Sequence, residues 1–157
     1  MSEQSVRAFF SAHAADVAII DQGVSVATVP EAAAALGVIP GRIAKTLSLR
    51  IGETVALVVT RGDARLNNGK AKAAFGAKPR MLGAHEVEEL TGHPVGGVCP
   101  FGLAVALPIY CDISLRDFDT VFPAAGSRTS SVELTPQRLA ELTGAQWIDI
   151  CTLAEES

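Results

Sequence analysis

The chain has 157 residues and a mass of 16.3 kDa, with 48% hydrophobic and 19% charged residues, a balance that excludes intrinsic disorder and permits one domain with a substantial core. No apolar run approaches the roughly 20 residues of a membrane helix, and the first residues lack a signal-peptide pattern, so a cytoplasmic protein without membrane contact is expected. The cysteines are three in number and widely spaced, which disfavours a disulfide framework and a zinc site, so no metal is expected.

The net charge of −4 conceals a basic middle segment. Between Arg42 and Arg80, nine lysines and arginines stand against two acidic residues, a net charge of +7, so the rest of the chain carries −11. This asymmetry favours a basic face for phosphates on an acidic body. The alternative is that these residues solvate separate strand and helix faces.

Hydrophobic spacing, caps and turn residues predict the secondary structure. The predicted elements, in chain order, are a helix over 5–13, a buried strand over 17–20, a helix over 28–36, a short helix over 40–44, a hairpin of strands over 45–50 and 54–60, a helix over 67–75, a strand over 79–82, a helix over 84–90, a strand over 109–112, paired strands over 120–126 and 131–134, a helix over 135–142 and a strand over 146–150.

Local signals mark several of these boundaries. Thr28 is expected to cap the second helix with Glu31 in the capping-box position, Gly37 to end that helix, and Gly52 to turn the hairpin. Helices and strands interleave without a regular βαβ repeat. The predicted fold class is therefore α+β (mixed α/β), a single domain over residues 1–157 with a largely antiparallel, curled, barrel-like sheet flanked by helices.

Lys45 opens the first strand of the predicted hairpin. The period of two residues places it on the same face as Leu47 and Leu49, which we expect to point into the core. A lysine on an inward face is costly unless it opens into a cleft or meets an anion, so Lys45 is a candidate functional residue. The alternative is a lysine whose ammonium reaches water at the sheet edge.

A glycine- and proline-rich loop over 91–102 is the second candidate. Its composition cannot continue a helix or a central strand. Gly96 and Gly97 let backbone N–H groups approach a ligand closely, and Pro100 fixes the exit of the loop, so the segment could present amides to an anion or a developing oxyanion. The alternative is a tight turn that joins two elements.

Several motifs recur here in a recognisable order. They are Ala44-Lys45-Thr46-Leu47, Leu90-Thr91-Gly92, Gly96-Gly97-Val98-Cys99-Pro100-Phe101-Gly102, Leu107-Pro108 with Asp112, and Ala124-Ala125-Gly126. Together they resemble the YbaK-like family of prolyl-tRNA editing domains, roughly over residues 26–150. The resemblance implies hydrolysis of the ester of a mischarged tRNA, with tRNA(Pro) bound by its acceptor end and no cofactor. We further expect a monomer that contacts prolyl-tRNA synthetase transiently.

The resemblance also implies site residues. In the family, activity depends most on a strand lysine, whose place falls on Lys45, while a Gly-x-x-x-Pro loop maps to Gly96 through Pro100 and a later turn glycine to Gly126. The expected catalytic residues are Lys45, Gly96, Gly97 and Val98. The expected substrate-binding residues are Cys99, Pro100, Gly126, Ser127 and Asp112.

These residues suit a mechanism without a nucleophilic side chain. Lys45 would hold a phosphate or the ester carbonyl, the amides of Gly97 and Val98 would polarise that carbonyl, and water would attack. Two residues have alternative roles. Cys99 is either a nucleophile near His93 or a small apolar core residue, and Asp112 is either a general base or a structural carboxylate. The alternative function is a non-catalytic module that binds the tRNA acceptor end or a nucleotide.

Overall fold

The computed structural model describes residues 2–153, which contain five α-helices and ten strands. The helices are α1 Ser2–His13, α2 Val29–Leu36, α3 Asn68–Phe75, α4 Ala84–Thr91 and α5 Pro136–Thr143. The strands are β1 Ile20–Asp21, β2 Ile43–Ile51, β3 Thr54–Arg61, β4 Ala64–Leu66, β5 Arg80–Met81, β6 Ile109–Asp112, β7 Phe122–Pro123, β8 Ser130–Ser131, β9 Gln146–Ile148 and β10 Cys151–Leu153. In this range, no helix is both long enough and apolar enough to cross a bilayer.

The largest sheet is mixed and contains six strands. Its order is β5-β2-β3-β6-β9, and β7 also pairs with β2. Strand β2 runs antiparallel to β3 and β5, whereas β2 with β7, β3 with β6 and β6 with β9 are parallel pairs. The smaller pairs β1 with β8 and β4 with β10 are antiparallel.

This topology confirms the predicted mixed α/β class and corrects its detail. Three of the pairings in the main sheet are parallel, so that sheet is not largely antiparallel. Over residues 2–153, the end strands β5 and β9 do not pair with each other, so the predicted barrel-like closure is not confirmed.

The predicted hairpin and the caps of α2 are confirmed. Strand β2 pairs with β3 along its length, and Gly52 turns between them with φ of +62°. The Thr28 hydroxyl oxygen accepts a hydrogen bond from the Glu31 amide at 3.3 Å, and Gly37 ends the helix with φ of +69°. Both features depend on residues within a few positions of each other, which is why the sequence was sufficient to place them.

Three predicted strands differ from the structure. Of the strand expected over 17–20, only Ile20 lies in a strand, β1. The segments 120–126 and 131–134 meet only through isolated bridges, because β7 pairs with β2 and β8 with β1. The strand expected over 146–150 ends early as β9, because the Ile150 amide donates to the Asp112 carboxylate at 2.8 Å, and the chain then joins β4 through the further strand β10.

Apolar clusters cover both faces of β2. Ala44 belongs to the main cluster with residues of α1 and α5, whereas Leu49 belongs to a second cluster with Val58 and Ile150. Strand alternation therefore places Lys45 on the face of Leu49, as expected, and Thr46 on the opposite face. A third cluster joins α2 to the start of β2.

Helix α1 packs closely against two loop glycines. A Cβ built on Gly102 would lie 2.6 Å from the carbonyl oxygen of Ser5, and one built on Gly126 would lie 2.8 Å from a methyl group of Val6. Both glycines also have positive φ, of +58° and +90°. A side chain at either position would therefore push α1 away from the loops.

Candidate functional site

A cavity of about 320 Å³ lies between α2, the first half of β2, the start of α4 and the glycine-rich loop. Its walls are mostly apolar, and its polar lining includes Thr28, Lys45, Thr46, Ser48 and Ser131. Val95 and Met81 line it while remaining 45% and 61% exposed, which marks the side open to solvent. The volume lies at the small end of the range for ligand pockets, so the cavity suits a small group or the end of a larger molecule.

The glycine-rich loop forms one wall by docking on the turn after β7. A Cβ built on Gly97 would lie 2.9 Å from three backbone atoms of Ser127, and the Gly126 amide donates to the Gly97 carbonyl at 3.1 Å. Gly96 has φ of +96°, and a Cβ there would lie 2.8 Å from the Cβ of Ala27. The two adjacent glycines thus permit backbone approach on both sides of the loop.

The loop amides differ in what they can offer a ligand. The Gly97 amide donates to the Pro94 carbonyl at 2.9 Å, so it is already used within the loop. The amides of Gly96 and Val98 have no hydrogen-bond partner within residues 2–153. Both residues line the cavity, as does Val95, whose amide likewise has no hydrogen-bond partner within residues 2–153, so these three N–H groups are the cavity-lining loop donors left for a ligand or an anion.

Lys45 is half-buried and also lines the cavity. Its Nζ donates to the carbonyl oxygen of Ala64 at 2.5 Å, on the side of the sheet that holds Leu47 and Leu49. Burial lowers the pKa of Lys45, while the nearby Asp63 acts in the opposite direction. The cavity is lined by Ala44, Thr46 and Ser48 from the other face of β2, so the ammonium has to turn away from Ala64 to meet a ligand there.

The hydroxyl of Thr46 was not singled out from the sequence. Thr46 lines the cavity from the opposite face of β2, and its Oγ1 is buried without a hydrogen-bond partner in residues 2–153. Such a group costs free energy in the folded state. No sequence signal marks it, because threonine is an ordinary strand residue and its lack of a partner depends on distant segments.

Cys99 and His93 form a buried pair below the loop, outside the cavity lining. The Cys99 Sγ lies 3.6 Å from His93 Nε2, and burial raises the pKa of the thiol to about 12. His93 Nε2 lies 2.7 Å from the Phe101 carbonyl, its Nδ1 lies 2.8 Å from the Ser2 hydroxyl, and burial lowers its pKa. A neutral thiol beside a neutral imidazole is a weak nucleophile, which favours the interpretation of Cys99 as a core residue.

The other expected substrate-binding residues do not line the cavity. Asp112 is buried, and its carboxylate accepts from the amides of Ser114 at 3.0 Å and Ile150 at 2.8 Å, as a structural carboxylate would. The Ser127 hydroxyl lies 2.6 Å from the Ser130 hydroxyl. Pro100 is buried, and Gly126 is buried against α1. The structure thus brings together Lys45, Gly96 and Val98 of the expected set.

Ion pairs offset part of the charge of the basic middle segment. Arg42, Arg50, Arg61 and Lys70 each pair with a carboxylate from outside the segment, and Arg61 also pairs with one from within it. Much of the local positive charge is therefore neutralised in space. In the described range, no group of His, Cys, Asp and Glu side chains could hold a metal ion.

Comparisons of the sequence and of the fold with known proteins point to one family. Residues 24–142 match the family model of the aminoacyl-tRNA editing domain. The chain is 49% identical to "Uncharacterized protein YwhH" of Bacillus subtilis over 96% of this chain and 98% of that protein. It is 33% identical to "Putative Cys-tRNA(Pro)/Cys-tRNA(Cys) deacylase EbsC" of Enterococcus faecalis over 76% and 74%. The crystal structure of "a putative trans-editing enzyme for prolyl tRNA synthetase" superposes on this chain with a TM-score of 0.88. The two sequences are 33% identical, and the match covers 96% of this chain and 97% of the other.

Proposed function

The chain belongs to the aminoacyl-tRNA editing domain family, and from this premise we propose that it is a trans-editing deacylase that hydrolyses the ester of mischarged tRNA, with tRNA(Pro) as its substrate. The names given to EbsC and to the similar crystal structure refer to tRNA(Pro) and to prolyl-tRNA synthetase. Transient contact with that synthetase is part of the same proposal.

The observation that carries the proposal is the convergence of two distant segments on one cavity. Lys45 comes from β2, and Gly96 and Val98 come from the glycine-rich loop, about fifty residues later in the chain. The cavity walls are apolar apart from a few hydroxyls, Lys45 and the unpaired amides of Val95, Gly96 and Val98. A small aminoacyl group can be enclosed there while its ribose and the preceding nucleotides remain at the open side.

Ester hydrolysis needs little from the protein beyond position and electrostatics. Water adds to the ester carbonyl carbon, negative charge develops on the carbonyl oxygen, and the bond from carbon to the ribose oxygen breaks as that oxygen takes up a proton. The amides of Gly96 and Val98 supply hydrogen bonds where the charge develops. The Lys45 ammonium turns from Ala64 towards the cavity and holds a phosphate or ester oxygen of the substrate.

The proposed mechanism assigns no bond-forming role to Cys99. Its thiol is fully buried, and its pKa of about 12 leaves almost no thiolate at neutral pH. A covalent thioester would also require the loop to open, because Cys99 does not line the cavity. Direct attack by water requires no such movement.

The test is a deacylation assay with tRNA(Pro) charged separately with alanine, cysteine, serine, threonine and 2-aminobutyrate. We expect release of at least one of these amino acids, and loss of release in Lys45→Ala with the fold retained in circular dichroism. Lys72→Ala, which removes an exposed lysine from α3, is the matched control. Binding of tRNA without release of any amino acid would favour the non-catalytic binding module, and full activity of Lys45→Ala would contradict the role of Lys45.

A further inference from the structure

Arg128 connects two walls of the cavity. Its backbone carbonyl accepts a hydrogen bond from the Val26 amide at 2.7 Å, and its side-chain Nε donates to the Val95 carbonyl at 3.0 Å. Val26 and Val95 both line the cavity, on the α2 side and on the loop side. The Arg128 side chain also lies against the loop, because its Cγ would be 3.4 Å from a Cβ built on Gly96.

The charge of Arg128 has no carboxylate partner within residues 2–153. No carboxylate lies within 4.0 Å of its guanidinium among residues 2–153, whereas Arg42, Arg50, Arg61 and Arg138 are each paired with at least one. Arg128 is exposed, and the Nε bond to Val95 fixes the direction of the guanidinium. The remaining N–H donors of the fork are therefore held, without an anion, beside the open side of the cavity.

We infer that Arg128 binds a backbone phosphate of the tRNA 3′ end and, through its bond to Val95, keeps the loop wall in place while the aminoacyl group occupies the cavity. This inference rests on the proposed function. A guanidinium can donate two parallel hydrogen bonds to phosphate oxygens while its Nε serves a third acceptor, which an ammonium at the same place could not reproduce. Arg128 is thus assigned as a positioning residue that also contacts the substrate.

Arg116 provides the matched control. It is also exposed and has no carboxylate within 4.0 Å in the described part of the chain, but its guanidinium lies 4.0 Å from the centre of the Trp147 ring. Neither arginine lines the cavity, but Arg128 is hydrogen-bonded to the lining residues Val26 and Val95, whereas Arg116 has no such bond within residues 2–153. Replacing Arg116 or Arg128 by alanine changes the net charge by the same amount. A difference between the two variants therefore reports the position of the charge.

The experiment measures kcat and KM for deacylation of charged tRNA(Pro) over a range of salt concentrations, together with binding of uncharged tRNA(Pro) by fluorescence anisotropy. For Arg128→Ala we expect KM to rise roughly tenfold and the slope of log affinity against log salt to weaken by about 1, as for the loss of one phosphate contact. Arg128→Lys should retain the salt slope but lower kcat, because a lysine keeps the charge and loses the geometry that holds Val95. Arg116→Ala should match the wild type.

Two results would overturn the inference. One is wild-type KM and salt slope in Arg128→Ala, and the other is an equal weakening in Arg116→Ala, which would indicate a general effect of net charge. If the wild-type protein releases no amino acid, the proposed function fails, and the anisotropy measurement still decides whether Arg128 contacts the phosphate backbone.

Discussion

Replacing Gly97 by alanine tests whether the docked loop sets the geometry of the site. The new Cβ would lie 2.9 Å from backbone atoms of Ser127, and ordinary contact begins at 3.4 Å, so the loop must retreat by roughly 0.5 Å. Overpacking costs about 1–3 kcal/mol, and loss of the hydrogen bond from the Gly126 amide to the Gly97 carbonyl costs about 0.5–1.5 kcal/mol. We therefore expect the free energy of unfolding to fall by about 2–4 kcal/mol. A displacement of 1 Å can cost about a hundredfold in rate, so half of it should lower kcat/KM roughly tenfold.

Urea denaturation and deacylation kinetics measure the two effects in the same preparation. Gly52→Ala is the control, because Gly52 has φ of +62° and nothing within 4 Å of its Cβ position, so it carries backbone strain without a new contact near the site. Its free energy of unfolding should fall by about 1–2 kcal/mol, and its kcat/KM should stay at the wild-type value. Gly97→Ala with wild-type stability and kcat/KM, or an equal loss of activity in Gly52→Ala, would refute the reasoning.

Three further variants test single groups. Thr46→Val removes a buried hydroxyl without a partner in residues 2–153, so urea titration should show a gain of about 1–2 kcal/mol, and a loss of stability would mean that the hydroxyl is bonded. Burial lowers the pKa of Lys45, so its ammonium opposes folding below the folded-state pKa. The free energy of unfolding of the wild type, relative to that of Lys45→Met, should therefore rise as the pH increases towards 10.5. A difference between the two proteins that stays constant with pH in urea titrations would contradict this. Cys99→Ala should keep its kcat and lose about 1 kcal/mol in the same titration, whereas lost turnover with an intact fold would restore the thiol as a nucleophile.

Features that depend on neighbouring residues were predictable from the sequence. The cap of α2 at Thr28 and the turn at Gly52 use chemistry that acts across two or three residues. The period of two in β2 correctly placed Lys45 on the face of Leu49. The loop motif likewise identified Gly96 and Val98, which line the cavity with Lys45.

Features that depend on distant partners were not predictable. The amide of Gly97 is engaged by Pro94, and the ammonium of Lys45 already has a carbonyl acceptor, although both groups had been assigned directly to a substrate. Strand β10 separates from β9 because the Ile150 amide finds the Asp112 carboxylate 38 residues away. Nothing local to any of these residues indicates its partner.

The packing of α1 on Gly102 and Gly126 has a consequence for how the protein can be dissected. The family match begins at residue 24, so a fragment cut to that boundary would lack the helix that buttresses both loops from behind. Such a fragment would keep every cavity-lining residue and still lose the support that sets their spacing. The unit that has to fold together is therefore larger than the stretch that matches the family.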